Sequence, residues 1–126
     1  LKKVDDFLVK KGLEKVVTMK APVKREDLPG VLQSASAVVV PSFSEGFGFA
    51  AAEAAACRVP LVISDAGSLP EIVSGRHIFF KSGSRASLLK ALHRALRNKW
   101  SYKKPIAFTW KKAAESFSQL YRRLIK

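Results

Sequence analysis

Apolar residues change their spacing several times along the chain, and each change predicts an element. Val4, Phe7, Leu8 and Val9 lie among charges at near-helical spacing, and Gly12 follows as a stop, which predicts a first helix over 4–13. The run KVVTM (Lys15 to Met19) reads as a short buried strand. Pro22 breaks the chain, and Glu26 and Asp27 suit the first turn of a second helix that reaches Ala35 with Pro29 inside it. AVVVP (Ala37 to Pro41) is a β-branched run closed by proline, the pattern of a parallel strand buried on both faces.

SFSEGFG then reads as a turn, and FAAAEAAAC as a helix beginning near Phe47, whose small side chains let it lie close to a sheet. PLVIS predicts another buried strand, DAGS a turn, LPEIV a short helix, and HIFF (His77 to Phe80) a further strand. Parallel strands need crossover helices on the sheet faces, so this alternation predicts an α/β fold: a three-layer, doubly wound parallel sheet. Ligands of such sheets sit at the carboxyl ends of the strands. From Ser84 onward, Leu88, Leu89, Leu92, Ala95 and Leu96 recur with basic residues between them, and the polar break NKWSYKKP follows. Thr109 then caps a last helix running through Lys126, with Ala113, Phe117, Leu120, Tyr121 and Leu124 on one face. The chain is expected to end in two basic amphipathic helices.

A length of 126 residues fits a single domain with one core, and 48% hydrophobic residues argue against disorder. The net charge of +13 is uneven: residues 1–80 carry ten Lys/Arg against nine Asp/Glu, whereas residues 81–126 carry thirteen against Glu115 alone. Such a tail attracts nucleic acid, anionic lipid or acidic substrates alike. No uncharged apolar run approaches the roughly 18 residues that a membrane span needs. The chain opens on Leu1 inside an amphipathic stretch, with no leader, and so reads as a piece of something longer. Cys57 has no second cysteine to pair with and reads as a small buried side chain, which favours a reducing compartment.

The informative stretch is PSFSEGFGFAAAEAAA. A strand ends at Pro41, a turn carries Gly46 and Gly48, and a helix follows. Glycines let backbone approach a ligand, and free N–H groups at a helix start, aided by the helix dipole, favour a phosphate or diphosphate. A carboxylate at Glu45 would repel that anion unless it turned toward hydroxyl groups, for which it is a good acceptor. Glu53 falls in an alanine-rich helix, where a charge calls for a partner.

The order Glu45, seven residues, Glu53, with GFG directly after the first Glu and CRVPLVISDAGSLPEIV after the second, resembles the family 4 retaining glycosyltransferases of the two-Rossmann-domain (GT-B) type. The resemblance runs from about Val16 to the end and includes FTW (Phe108 to Trp110) ahead of the last helix. It implies a Rossmann-like, C-terminal donor-binding domain over residues 1–126 that lacks its first strand or strands, with an acceptor-binding N-terminal domain outside this chain. By resemblance, Glu45 is the catalytic contact to the transferred sugar, Glu53 binds the ribose hydroxyls, and Gly46, Phe47 and Gly48 line the sugar and phosphates. The implied activity is hexosyl transfer from a nucleotide-sugar donor with retained configuration, with no metal and no other cofactor, and an acceptor that is lipid-linked or a glycan.

The sequence departs from the family at Arg58, where glycine usually follows the cysteine, at Ala50, where proline is frequent, and at Ala21, where a turn near the base usually has glycine. The family's phosphate-binding Arg and Lys lie upstream of Leu1, so the fragment alone is expected to be inactive.

Plainer readings stand beside these. Glu45 could be a loop carboxylate, Glu53 a surface charge and the two glycines ordinary turn residues, while Glu71 after Pro70 is more simply a first-turn helix charge. His77 and His93 have no Asp or Glu close in sequence to form a triad or metal set. Trp100, Tyr102 and Trp110 could stack on bases but read as packing residues. The competing class is a basic nucleic-acid-binding module that uses the tail. A cytoplasmic enzyme whose tail rests peripherally on an anionic membrane face accounts for the charge equally well.

Overall fold

The two most apolar runs pair side by side, as their composition demands. In the computed structural model, which describes residues 2–125, strand β1 (Val38–Val40) lies parallel to β2 (Leu61–Ser64), with Val39 opposite Val62. β2 in turn lies parallel to β3 (Gly75–Phe80), with Val62 opposite Ile78. The crossovers are α3 (Phe49–Ala56) and α4 (Leu69–Ile72). After α5 (Arg85–Leu96), the short β4 (Ser101–Lys103) returns antiparallel along β3, giving the order β1-β2-β3-β4. Before the sheet come α1 (Lys2–Lys10) and α2 (Leu28–Gln33), and α6 (Trp110–Leu124) closes the chain.

Alternation along β2 divides the core into two layers. Leu61 and Ile63 pack with Val40, Ala51, Ala54, Leu69 and Val73 beneath α3 and α4. Val62, one residue out of phase, packs with Ile78, Phe80 and Ala91 beneath α5. All four residues of β2 are buried, as a strand covered on both faces requires. The alanines of α3 allow the close approach that places Ala51 and Ala54 at 0% exposure. The fold is thus the expected α/β, three-layer, Rossmann-like half with a predominantly parallel sheet.

Local signals explain the helix ends. The Ser84 hydroxyl accepts from Ser87 N at 3.3 Å and the Thr109 hydroxyl from Lys112 N at 3.2 Å, capping α5 and α6. At the end of α3, Val59 N donates to Ala54 O and Arg58 N to Ala55 O, both at 3.0 Å, a paired closure that drives the intervening residue left-handed. That residue is Arg58, with φ +61°. Glycine, which the family pattern has here, would take this conformation without the roughly 1–2 kcal/mol that a Cβ adds. The same closure ends α5 at Asn98, φ +58°, a residue type that tolerates it better.

Four expectations need correction. KVVTM is not a strand: Val16 N and Val17 N both donate to Leu13 O at 3.0 Å, so a local turn takes the amides that a ladder would need, and Val16 is 76% exposed. β1 is not buried on both faces: among the described residues it is the edge of the sheet, and Val39 is 41% exposed. The polar break NKWSYKKP contains β4, and the Lys103 ammonium donates to the carbonyls of Pro70 (3.1 Å) and Glu71 (3.2 Å) at α4. Of the three aromatics read as packing residues, only Trp100 packs on the core; Tyr102 and Trp110 are 70% and 93% exposed.

Among the described residues no helix is long and apolar enough to cross a membrane. The apolar residues of α6 share one face as expected, yet Phe117, Leu120, Tyr121 and Leu124 are all exposed.

Candidate functional site

The carboxyl ends of β1, β2 and β3 open onto three loops, and serines tie those loops together. Ser64, the fully buried last residue of β2, donates its hydroxyl to the Ser42 carbonyl at 2.7 Å, and Ser82 donates to the same carbonyl at 3.2 Å. Ser82 N donates to Asp65 Oδ1 at 2.7 Å, and Asp65 N donates to Phe80 O at 3.0 Å. The turn after β1 is therefore fixed by hydrogen bonds from the next two strands, and water-exposed backbone is held in one geometry.

Glu45 sits half-buried at the tip of that turn. Its Oε1 accepts from the Ser42 hydroxyl at 2.8 Å, and its main-chain carbonyl accepts from Ser68 N and Ser68 Oγ, both at 3.4 Å. Ser68 Oγ also donates to Phe47 O at 2.9 Å. Gly67, at φ +54°, lies flat against Glu45: a Cβ there would stand 2.4 Å from the Glu45 carbonyl oxygen.

The helix after the turn begins at Phe49, two residues later than the sequence suggests, because Gly48 adopts φ +91° as its N-cap. A Cβ at Gly48 would meet Leu69 Cδ2 at 2.6 Å, so glycine is needed for both conformation and space. No side chain caps α3, which leaves its leading N–H groups free beside Gly46, around which a Cβ would find open space. Free amides, open glycine backbone and the positive end of a helix dipole make an anion cradle.

Glu53 lies elsewhere on α3. It is exposed and lines a cleft of about 240 Å³ between α2 and α3 with Arg25, Leu28, Pro29, Leu32, Ala56 and Cys57. The charge there has water rather than the ion-pair partner expected of it; the one ion pair among the described residues is Lys24–Glu26 at 3.8 Å. Cys57 is half-buried in the same cleft rather than a core residue. Glu45 and Glu53 thus flank the start of α3 in separate settings and share no hydrogen bond among the described residues.

Phe47 lies 4.8 Å from the Phe49 ring and edge-on to Phe108 at 5.2 Å, on one wall of an apolar groove of about 830 Å³. Glu71 stands in the first turn of α4. His77 is buried with Nδ1 3.0 Å from Gly75 O, and His93 is exposed on α5. Sequence reasoning passed over Ser42, Ser64, Ser68, Ser82, Asp65 and Gly67. The available signal was positional: each stands at a strand's carboxyl end or within the next few residues.

The sequence model described as "Glycosyl transferases group 1" matches residues 1–116. The chain is 30% identical over 126 residues to a D-inositol 3-phosphate glycosyltransferase of Mycobacterium marinum, covering 90% of this chain and 27% of that protein. Over 68 residues it is 44% identical to the enzyme of that name from Paenarthrobacter aurescens, covering 54% of this chain and 17% of the relative. Among solved structures it is similar to sucrose-phosphate synthase from Thermosynechococcus elongatus, with a TM-score of 0.75 and 26% identity over 98% of this chain and 34% of that one. The chain therefore spans about a quarter or less of the relatives it matches in sequence and about a third of that structure. These comparisons give no support to a nucleic-acid-binding module.

Proposed function

The chain belongs to the group 1 glycosyl transferases, and from that premise we propose that it is the C-terminal, donor-binding half of a retaining GT-B enzyme acting on a nucleoside-diphosphate sugar. The observation that carries the reading is the uncapped N-terminus of α3, directly behind a glutamate held at the end of β1. The diphosphate takes the free amides at 46–49, where the helix dipole stabilises the charge that develops as the nucleoside diphosphate departs. Glu45 faces the sugar and accepts from its hydroxyls through Oε2, which has no partner among the described residues. Glu53, on the cleft beside Arg25, accepts from the ribose hydroxyls. That cleft joins an apolar wall of Leu28, Pro29 and Leu32 to charged groups, a lining suited to a nucleoside.

The same proposal has an acceptor domain preceding this one in the full-length enzyme. It also places the protein in the cytoplasm with its tail against an anionic membrane. The support is α6, where exposed Trp110, Phe117, Tyr121 and Leu124 are accompanied by Lys111, Lys112, Arg122 and Arg123.

Calorimetry tests the reading. Titrated with UDP-, GDP- and ADP-glucose and with a short DNA duplex, the full-length protein is expected to bind one of the nucleotide sugars at micromolar to millimolar concentration. Salt-sensitive duplex binding without nucleotide-sugar heat would overturn it.

A further inference from the structure

The serines that tie the strand ends together converge on one group, and that convergence assigns them a task beyond holding the loop. Ser42 makes three hydrogen bonds. Its carbonyl accepts from Ser64 (2.7 Å) and Ser82 (3.2 Å), and its hydroxyl donates to Glu45 Oε1 (2.8 Å). Ser64 is wholly buried at the end of β2, between β1 and β3, so the Ser42 carbonyl is anchored to an interior strand of the sheet. On its other side, Glu45 is held by its own carbonyl through Ser68 and Gly67. A half-buried glutamate on a turn would otherwise lose rotamer entropy on binding, and fixing it beforehand removes that cost at the moment of reaction.

We propose that Ser42 is a positioning residue for Glu45: its hydroxyl occupies Oε1 and turns Oε2 toward the donor sugar, with Ser64 as the buried anchor. The assignment rests on Glu45 being the sugar contact proposed above. No bond is made or broken by Ser42; it acts through the orientation of a carboxylate. Because the bond acts on the reaction only through the carboxylate's orientation, its loss carries about the 3- to 10-fold effect of one ordinary hydrogen bond. The effect falls on the sugar and not on the nucleotide, because Ser42 touches neither the α3 amides nor the Glu53 cleft.

The test uses the full-length enzyme with whichever UDP-, GDP- or ADP-sugar it turns over, following release of the nucleoside diphosphate, and with that nucleoside diphosphate alone in calorimetry. Ser42→Ala is expected to lower turnover by about 3- to 10-fold while nucleoside-diphosphate affinity stays within about 2-fold, and Ser42→Thr, which keeps the hydroxyl, restores turnover. In a Glu45→Ala background, Ser42→Ala adds nothing further, because residues acting through one another are not additive. An additive loss, or an equal loss of nucleoside-diphosphate affinity, would reduce Ser42 to a structural residue and overturn the proposal. If Glu45→Ala alone leaves turnover unchanged, the role given to Glu45 fails and this inference with it. If Glu45→Ala is impaired and Ser42→Ala is not, only this inference fails.

Discussion

Replacing Gly67 with alanine is expected to destabilise the domain by about 3 kcal/mol and to lower its thermal unfolding midpoint by roughly 10 °C. Two costs add. A left-handed φ of +54° is unfavourable for any residue with a Cβ. The new methyl would also stand 2.4 Å from the Glu45 carbonyl oxygen and 3.1 Å from the Glu45 amide nitrogen. Those are backbone atoms on a turn already fixed by Ser42, Ser64, Ser68 and Ser82, so they cannot step aside as a side chain would. Gly46→Ala is the matched control: with nothing within 4 Å of the added Cβ, it should change stability by less than about 1 kcal/mol. Calorimetric melting of the pair checks the expectation. A midpoint for Gly67→Ala within a degree of wild type would show that the turn is not held as described.

The second large effect is on nucleotide binding. Glu53→Ala in the full-length enzyme is expected to weaken the nucleoside diphosphate and its sugar conjugate alike, by about 10- to 100-fold, the cost of two ordinary hydrogen bonds from vicinal hydroxyls to an exposed carboxylate. Stability should hardly change, because Glu53 is exposed and makes no ion pair among the described residues. Glu45→Ala should do the reverse: nucleoside-diphosphate affinity is retained, and turnover falls by about 100-fold as the contact to the reacting sugar is lost. Titration calorimetry and turnover measured side by side separate the two roles. Equal effects of the two variants on both readouts would contradict the division between sugar and nucleotide.

The strands that could be read from sequence are those whose apolar runs are long enough to be buried together. PLVIS declared itself because its side chains pack on both faces of the sheet, and HIFF because Ile78 and Phe80 pack beneath α5, whereas KVVTM also carries β-branched and apolar residues and yet begins in a turn. The difference lies in a ladder partner, which is a property of the neighbouring chain and not of the run itself. AVVVP shows the same limit in milder form: its strand exists, but its place at the sheet edge leaves Val39 exposed. Two helix ends were more legible, since Gly12 and Thr109 act through their own backbone or side chains.

For the candidate site, the turn at Gly46 and Gly48 was legible because a glycine turn between a strand and a helix has one common geometric use, whereas the roles proposed for Glu45 and Glu53 came from the family resemblance and not from their spacing. The serine relay was not legible. Ser42, Ser64 and Ser82 are separated by 22 and 18 positions and meet only because β1, β2 and β3 lie side by side in order. Gly67 was likewise hidden, since the atom it must avoid belongs to Glu45, on the loop after a neighbouring strand.

The start of α3 is proposed to cradle a diphosphate between two glutamates with different tasks. A crystal of the full-length enzyme soaked with UDP, GDP or ADP tests it most directly. The phosphates are expected on the amides of residues 46–49, the ribose hydroxyls on Glu53, and Glu45 free of the nucleotide and still bonded to Ser42. A nucleotide bound away from α3, or ribose hydroxyls on any group other than Glu53, would contradict it.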